Sequence, residues 1–129
     1  MGNKLEILLN GKEDFVHGIG VKKEDILEAK KQLNVSFAKD YIEYLCKFGQ
    51  VSYDGHELTG IGFVERLNVV TVTEEERKHN QNINGYVIEK VGMDSIVIWQ
   101  DEKGYVYQTN QTNESKIIAS SLLEYIQKY

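Results

Sequence analysis

Two stretches in the first half of the chain carry apolar residues at helical spacing. From Glu24, the positions Ile26, Ala29, Lys30 and Leu33 recur with a helical period. Lys22, Lys23, Lys30 and Lys31 take the wet side, and Asn34 supplies a stop. Ser36 stands where an N-cap is needed for the next helix. Phe37, Tyr41, Tyr44, Leu45 and Phe48 then follow at i, i+4, i+7, i+8 and i+11, an apolar stripe closed by Gly49. After Gly49 the period drops to two. Val51 and Tyr53, a turn at Asp54-Gly55, then Leu58 and Ile61 predict strand segments. Val69–Thr73 is rich in β-branched residues and also predicts a strand. Thr73 and Glu76 form a capping box for a short helix through Arg77 and His79. Tyr86–Lys90, Ser95–Trp99 and Gly104–Thr109 predict a meander, connected by Gly92-Met93-Asp94 and by Gln100–Lys103. Ile117–Ala119 is short and apolar. Ser120 or Ser121 caps a last helix with Leu122, Leu123, Tyr125 and Ile126 inside. Leu5–Leu9 fits helix or strand equally, and Phe15–Gly20 reads as irregular. The order predicts an α+β fold: an antiparallel or mixed β-sheet meander with N-terminal helices and a C-terminal helix packed on it.

A length of 129 residues predicts a single domain over 1–129, with residues 1–21 as an arm whose packing the sequence leaves open. Such a chain buries enough surface to need neither disulfide nor metal. Fifteen basic residues against twenty acidic give a net charge of −5. That balance disfavours non-specific binding to nucleic acid, which needs clustered Lys and Arg, and suits a partner with a basic surface. Cys46 is the one cysteine, so no internal disulfide is expected. Its place beside the apolar stripe predicts an inert, mostly buried thiol. No stretch reaches the length of a membrane span, and the start lacks the apolar core of a signal peptide. A cytoplasmic location is the expectation.

The chemistry-bearing residues are sparse. His17, His56 and His79 offer no i, i+4 pair for a metal. Asp54-Gly55-His56-Glu57 packs three possible ligands into four residues, yet a turn with solvated His and Glu explains the same pattern. A hydrolase or metal enzyme centred on Asp54, His56 and Glu57 is therefore the weakest reading. Gly18-Ile19-Gly20 and Gly60-Ile61-Gly62 lack the further glycines and Lys of nucleotide-binding loops. We expect no catalytic residue, no cofactor and no metal. The charge distribution says more: residues 1–39 are net +1, residues 77–129 net 0, and residues 40–76 hold eight acids against Lys47 and Arg66, net −6. An acidic middle third reads as a docking face for a basic protein. Tyr and Trp serve as interface anchors because they bring large area at small rotamer cost. The expected contact face comprises Asp54, Glu57, Glu65, Trp99, Asp101, Glu102 and Tyr105.

Taken in order, these segments resemble a known group. Ile26 to Gly49, with Phe37-Ala38-Lys39-Asp40-Tyr41-Ile42-Glu43-Tyr44-Leu45 leading to Phe48-Gly49, is similar to the start of the SUKH superfamily. That superfamily is named after fungal regulators of cell-wall synthesis and includes many bacterial immunity proteins. Gly55 to Ile61, Val69 to Arg77 and the hairpins through Tyr86-Val87-Ile88, Asp94 to Trp99 and Gly104 to Tyr107 follow in the superfamily's order, covering roughly residues 24–126. The chain departs from it at Phe37-Ala38, where members usually carry Pro. The resemblance implies an α+β fold without catalytic residues. It also implies a role as an immunity protein that neutralises a cognate toxin domain, of the basic, nuclease type, by direct binding. The fungal branch implies the alternative, a regulatory or scaffold interaction module with no toxin. The sequence leaves the oligomeric state open and implies no contact with nucleic acid or membrane.

Overall fold

The computed structural model describes residues 3–81, 84–91, 95–112 and 114–129. Among these described residues five helices and two antiparallel sheets make an α+β fold, as the apolar pattern predicts. Helix α1 (Asn3–Asn10) resolves the ambiguity at Leu5–Leu9. It buries Leu5 and Leu9 against the last helix, so the N-terminal arm is part of the core. A two-residue strand, β1 (Val16–His17), lies inside the segment expected to be irregular.

Helix α2 (Lys23–Leu33) buries Ile26, Ala29 and Leu33 and stops at Asn34 in the left-handed conformation (φ 53°), which Asn tolerates better than most side chains. Helix α3 (Lys39–Lys47) buries Tyr41, Tyr44 and Leu45. Its start corrects the expectation at Ser36: the N-cap is Ala38, with no side-chain cap. The Ala38 N–H donates instead to the Tyr86 hydroxyl at 2.9 Å, a tertiary partner that the local sequence cannot reveal. Cys46 is exposed, not buried, because it sits one step off the inward stripe.

Strands β2 (Val51–Tyr53) and β3 (His56–Leu58) form a hairpin through Asp54 (φ 46°) and Gly55 (φ 82°), two left-handed residues as a tight hairpin turn requires. With β1 they make the smaller sheet, in the order β1-β2-β3. A single 3₁₀ turn, Glu65–Leu67, leads into helix α4 (Val69–Arg77). The strand expected over Val69–Thr73 is therefore a helix. Asn68 decides it locally, since its side chain accepts hydrogen bonds from the N–H groups of Val70 (2.9 Å) and Thr71 (3.1 Å). Packing of α4 on the larger sheet outweighs the β propensity of five branched residues. Thr73, expected as the cap, is buried inside the helix and accepts the Val87 N–H at 2.9 Å. Replacing Asn68 by Ala removes the cap and should lower unfolding stability by about 1 kcal/mol, measured by urea denaturation.

The larger sheet runs β4-β5-β6-β7, from β4 (Tyr86–Val91) through β5 (Ile96–Gln100) and β6 (Val106–Thr109) to β7 (Ser115–Ala119). The expected connection Gly92-Met93-Asp94 lies outside the described residues. Helix α5 (Leu122–Lys128) closes the fold, capped by Ser121, whose hydroxyl accepts the Glu124 N–H at 3.0 Å. Its Leu122, Tyr125 and Ile126 join the main core beneath the sheet. The opposite face carries a smaller apolar cluster of Val87, Val97 and Trp99. Among the described residues no helix is long and apolar enough to cross a membrane.

Candidate functional site

The three candidate ligands at the β2–β3 turn part company in the structure. Asp54 accepts the Glu13 N–H at 2.9 Å, while its own N–H donates to the Glu13 carbonyl, tying the turn to the chain before β1. Glu57 receives both terminal nitrogens of Arg66, at 2.8 and 2.5 Å. These hydrogen bonds and the guanidinium charge hold the Glu57 carboxyl below its usual range. His56 turns the other way and places Nδ1 3.0–3.1 Å from the carboxylate of Glu89. Among the described residues no three His, Cys, Asp or Glu side chains could hold a metal together.

Glu89 is the residue that sequence reading missed. It is only 4% exposed and sits within a strand that is otherwise apolar up to that point. A bulge between Val87 and Glu89 turns its carboxylate toward the main core. There it accepts the Tyr125 hydroxyl at 2.5 Å and the Glu57 N–H at 3.3 Å, besides its contact with His56. Burial, and then the nearby Glu89 charge, push the Tyr53 and Tyr125 hydroxyls above the usual tyrosine range. The Tyr53 ring stacks on His56 at 5.2 Å. The signal available in sequence was a single acid in the run Tyr86-Val87-Ile88-Glu89. A groove of about 510 Å³ opens beside this cluster. Among the described residues each charged group lining it is paired: His56 with Glu89, Arg66 with Glu57, and Lys90 with Glu76 at 2.9 Å. The arrangement braces the hairpin against the larger sheet.

The acidic middle third does not form one free patch. Asp40 accepts the Leu122 N–H (2.7 Å) at the start of α5 and the Gln100 side-chain amide (3.1 Å). Glu75 pairs with Lys78 and lies 3.8 Å from His79, while Glu76 and Glu57 have the cationic partners above. Glu65 lies in the 3₁₀ turn, its carboxylate 3.4 Å from the Thr71 hydroxyl. Trp99 also leaves the expected contact face. It is 5% exposed, walled by Val87 and Val97 and stacked under Tyr107 at 4.3 Å. Alternation along β5 placed it on the outer face, and Tyr107 with Val72 of α4 covers it there.

Asp101, Glu102 and Tyr105 do stay together, in the turn from β5 to β6. The Asp101 carboxylate organises that turn by accepting the N–H groups of Lys103 (3.0 Å) and Tyr105 (3.1 Å) and the Tyr107 hydroxyl (3.0 Å). Glu102 and Tyr105 are exposed. Across from this turn runs the outward face of α2, and between them lies a groove of about 990 Å³. Glu24, Leu27, Glu28 and Lys31 share that face at i, i+3, i+4 and i+7, and Leu27 is 55% exposed. Four carboxylates (Glu24, Glu28, Asp101 and Glu102) and three lysines (Lys30, Lys31 and Lys103) line the groove. The grooves at Glu57 and at Asp101 share no residue, so the expected contact residues divide between separate places.

A second exposed feature was not anticipated. The loop after β3 lifts Phe63 to 89% exposure, while the Gln50 side-chain amide bonds both the carbonyl (2.8 Å) and the N–H (3.1 Å) of Val64. Gly60 anchors the loop's other end so closely that a Cβ would stand 1.6 Å from the Gly49 carbonyl oxygen.

A family model described as SMI1-KNR4 cell-wall, SUKH_5, matches residues 6–129. No curated protein matches the chain.

Proposed function

Because the chain belongs to the SMI1-KNR4 cell-wall family, within the SUKH superfamily, we propose that it is a non-enzymatic binding protein acting in the cytoplasm as an immunity protein. Its partner is a cognate bacterial toxin domain with a basic surface, of the nuclease type, neutralised by direct contact. The observation that carries this reading is the groove between α2 and the β5–β6 turn. Its walls bear acids on both sides, Glu24 and Glu28 on the helix and Asp101 and Glu102 on the turn, four against Lys30, Lys31 and Lys103, and the exposed Leu27 lies on the helix wall. Opposed carboxylates favour a basic segment placed between them, and an exposed apolar side chain adds area that water leaves on contact. A nuclease has to display Lys and Arg to phosphates, which supplies the complementary charge.

Co-expression of the intact chain with the C-terminal domain of the adjacent gene's product should restore the growth that this domain alone arrests. In purified components, reversing Glu24, Glu28 and Glu102 together to Lys should slow association by about tenfold at low salt, and the difference should shrink as salt is raised. All three side chains are exposed, so the fold should survive the change. Failure of the intact chain to rescue growth overturns the immunity reading, and an unchanged association rate in the triple variant removes the groove from it. The family's link to the cell wall favours one other reading, a regulatory or scaffold module of the cell-wall-regulator type with no toxin partner. A gene neighbourhood without a toxin and an intact cell wall lost on deletion would favour that module.

A further inference from the structure

Strand β7 is the outer edge of the larger sheet: β6 pairs with it on one side, and among the described residues no strand pairs on the other. Ser115 and Lys116 are exposed, and Ile117 is 58% exposed. Glu114, just before the strand, is exposed as well. Among the described residues neither Glu114 nor Lys116 has an ion-pair partner. An open edge with unspent backbone groups is a template for another strand, and the physical question is which strand its side chains accept.

We infer that β7 pairs antiparallel with β7 of a second copy of this chain, about a two-fold axis through Ser115, so that Glu114 of each copy faces Lys116 of the other. A two-fold axis makes every contact occur twice, so one opposite-charge pair becomes two. Directly opposed opposite charges favour an antiparallel register, and like charges oppose it. The neighbouring registers fail on this edge. Centring on Lys116 sets two lysines against each other. Centring on Ile117 requires pairing through Ile118, which is the extra residue of the bulge, since Ala119 faces Val106 and Ile117 faces Tyr107. The Ser115-centred register keeps clear of the bulge and satisfies both charges. The contact is short, so the dimer is weak and depends on concentration.

The test uses the whole chain. Light scattering or sedimentation should show the mass rising from 14.8 kDa toward twice that as the concentration increases from about 10 μM to about 1 mM. Lys116→Glu alone and Glu114→Lys alone should each weaken the dimer by about tenfold. The double reversal, Glu114→Lys with Lys116→Glu, should bring the dissociation constant back to within about threefold of the original. The register has its own readout in a Cys46→Ser background. With oxidised glutathione as oxidant, Ser115→Cys should join two chains, because opposed residues in an antiparallel pair stand about 4.5–5.5 Å apart at Cα, within disulfide reach. Ile117→Cys should not, since its two copies lie four residues apart along the strands, about 14 Å. A monomer at every concentration overturns the inference. So does a double reversal that behaves like the single ones, or equal cross-linking at 115 and 117.

Discussion

Raising the pH past about 10 should unfold the chain abruptly, with stability falling by about 7 kcal/mol per pH unit once the unfolded tyrosines ionise. Tyr41, Tyr44, Tyr53, Tyr86 and Tyr125 are all nearly or fully buried. Burial is the first cause that lifts each hydroxyl above the ordinary value of 10.0, with the Glu89 charge adding to it at Tyr53 and Tyr125. The sign follows from which state keeps its protons. In the folded chain these five hydroxyls stay protonated well above pH 10, whereas in the unfolded chain they lose their protons near 10. Below that value both states are protonated and the stabilisation is fully present. Above it each tyrosine withdraws about 1.4 kcal/mol per pH unit. A total stability of about 5–15 kcal/mol is then exhausted within roughly one to two units. The tyrosinate absorbance of these five rings and loss of the far-ultraviolet helix signal should appear together in one step. Gradual ionisation of all eight tyrosines with the helix signal intact would contradict the burial.

Replacing Glu89 by Ala should cost about 3–5 kcal/mol, measured by urea unfolding at neutral pH, because it deletes one member of a buried hydrogen-bonded cluster and leaves the others unmatched. The Tyr125 hydroxyl and the Glu57 N–H lose their acceptor, and His56 loses the carboxylate that faces it. Substituting the cluster together, Glu89→Leu with His56→Leu and Tyr125→Phe, should recover more than half of that loss, since apolar groups of similar volume remove the desolvation penalty along with the bonds. A Glu89→Ala cost under about 1 kcal/mol would mean that water replaces the carboxylate and that the cluster contributes little.

The helical stripe of α3, the left-handed stop at Asn34, the Asp54-Gly55 hairpin and the Ser121 cap were legible because each depends on a few neighbouring residues. The failures occur where a distant partner decides. Val69–Thr73 has the composition of a strand, but the Asn68 cap and the sheet beneath make it a helix. Ser36 has the chemistry of a cap, but Tyr86, fifty positions on, takes over the α3 terminus. The site followed the same division. Asp101, Glu102 and Tyr105 adjoin in sequence and remain adjacent in space. Trp99 was covered by Tyr107, and Asp40, Asp54, Glu57, Glu75 and Glu76 of the middle third found cations or backbone N–H groups. Leu27 on the outward face of α2 and Glu89 in an apolar strand were visible anomalies, each out of step with the period around it.

The Gln50 amide does for residue 64 what a neighbouring strand would do, supplying one donor and one acceptor to a backbone that has no ladder. The bare aromatic tip beside it is thus mounted on a stiff post instead of a swinging one. A surface that receives that ring meets a loop whose freedom was already surrendered during folding, so little further chain entropy is lost at the encounter.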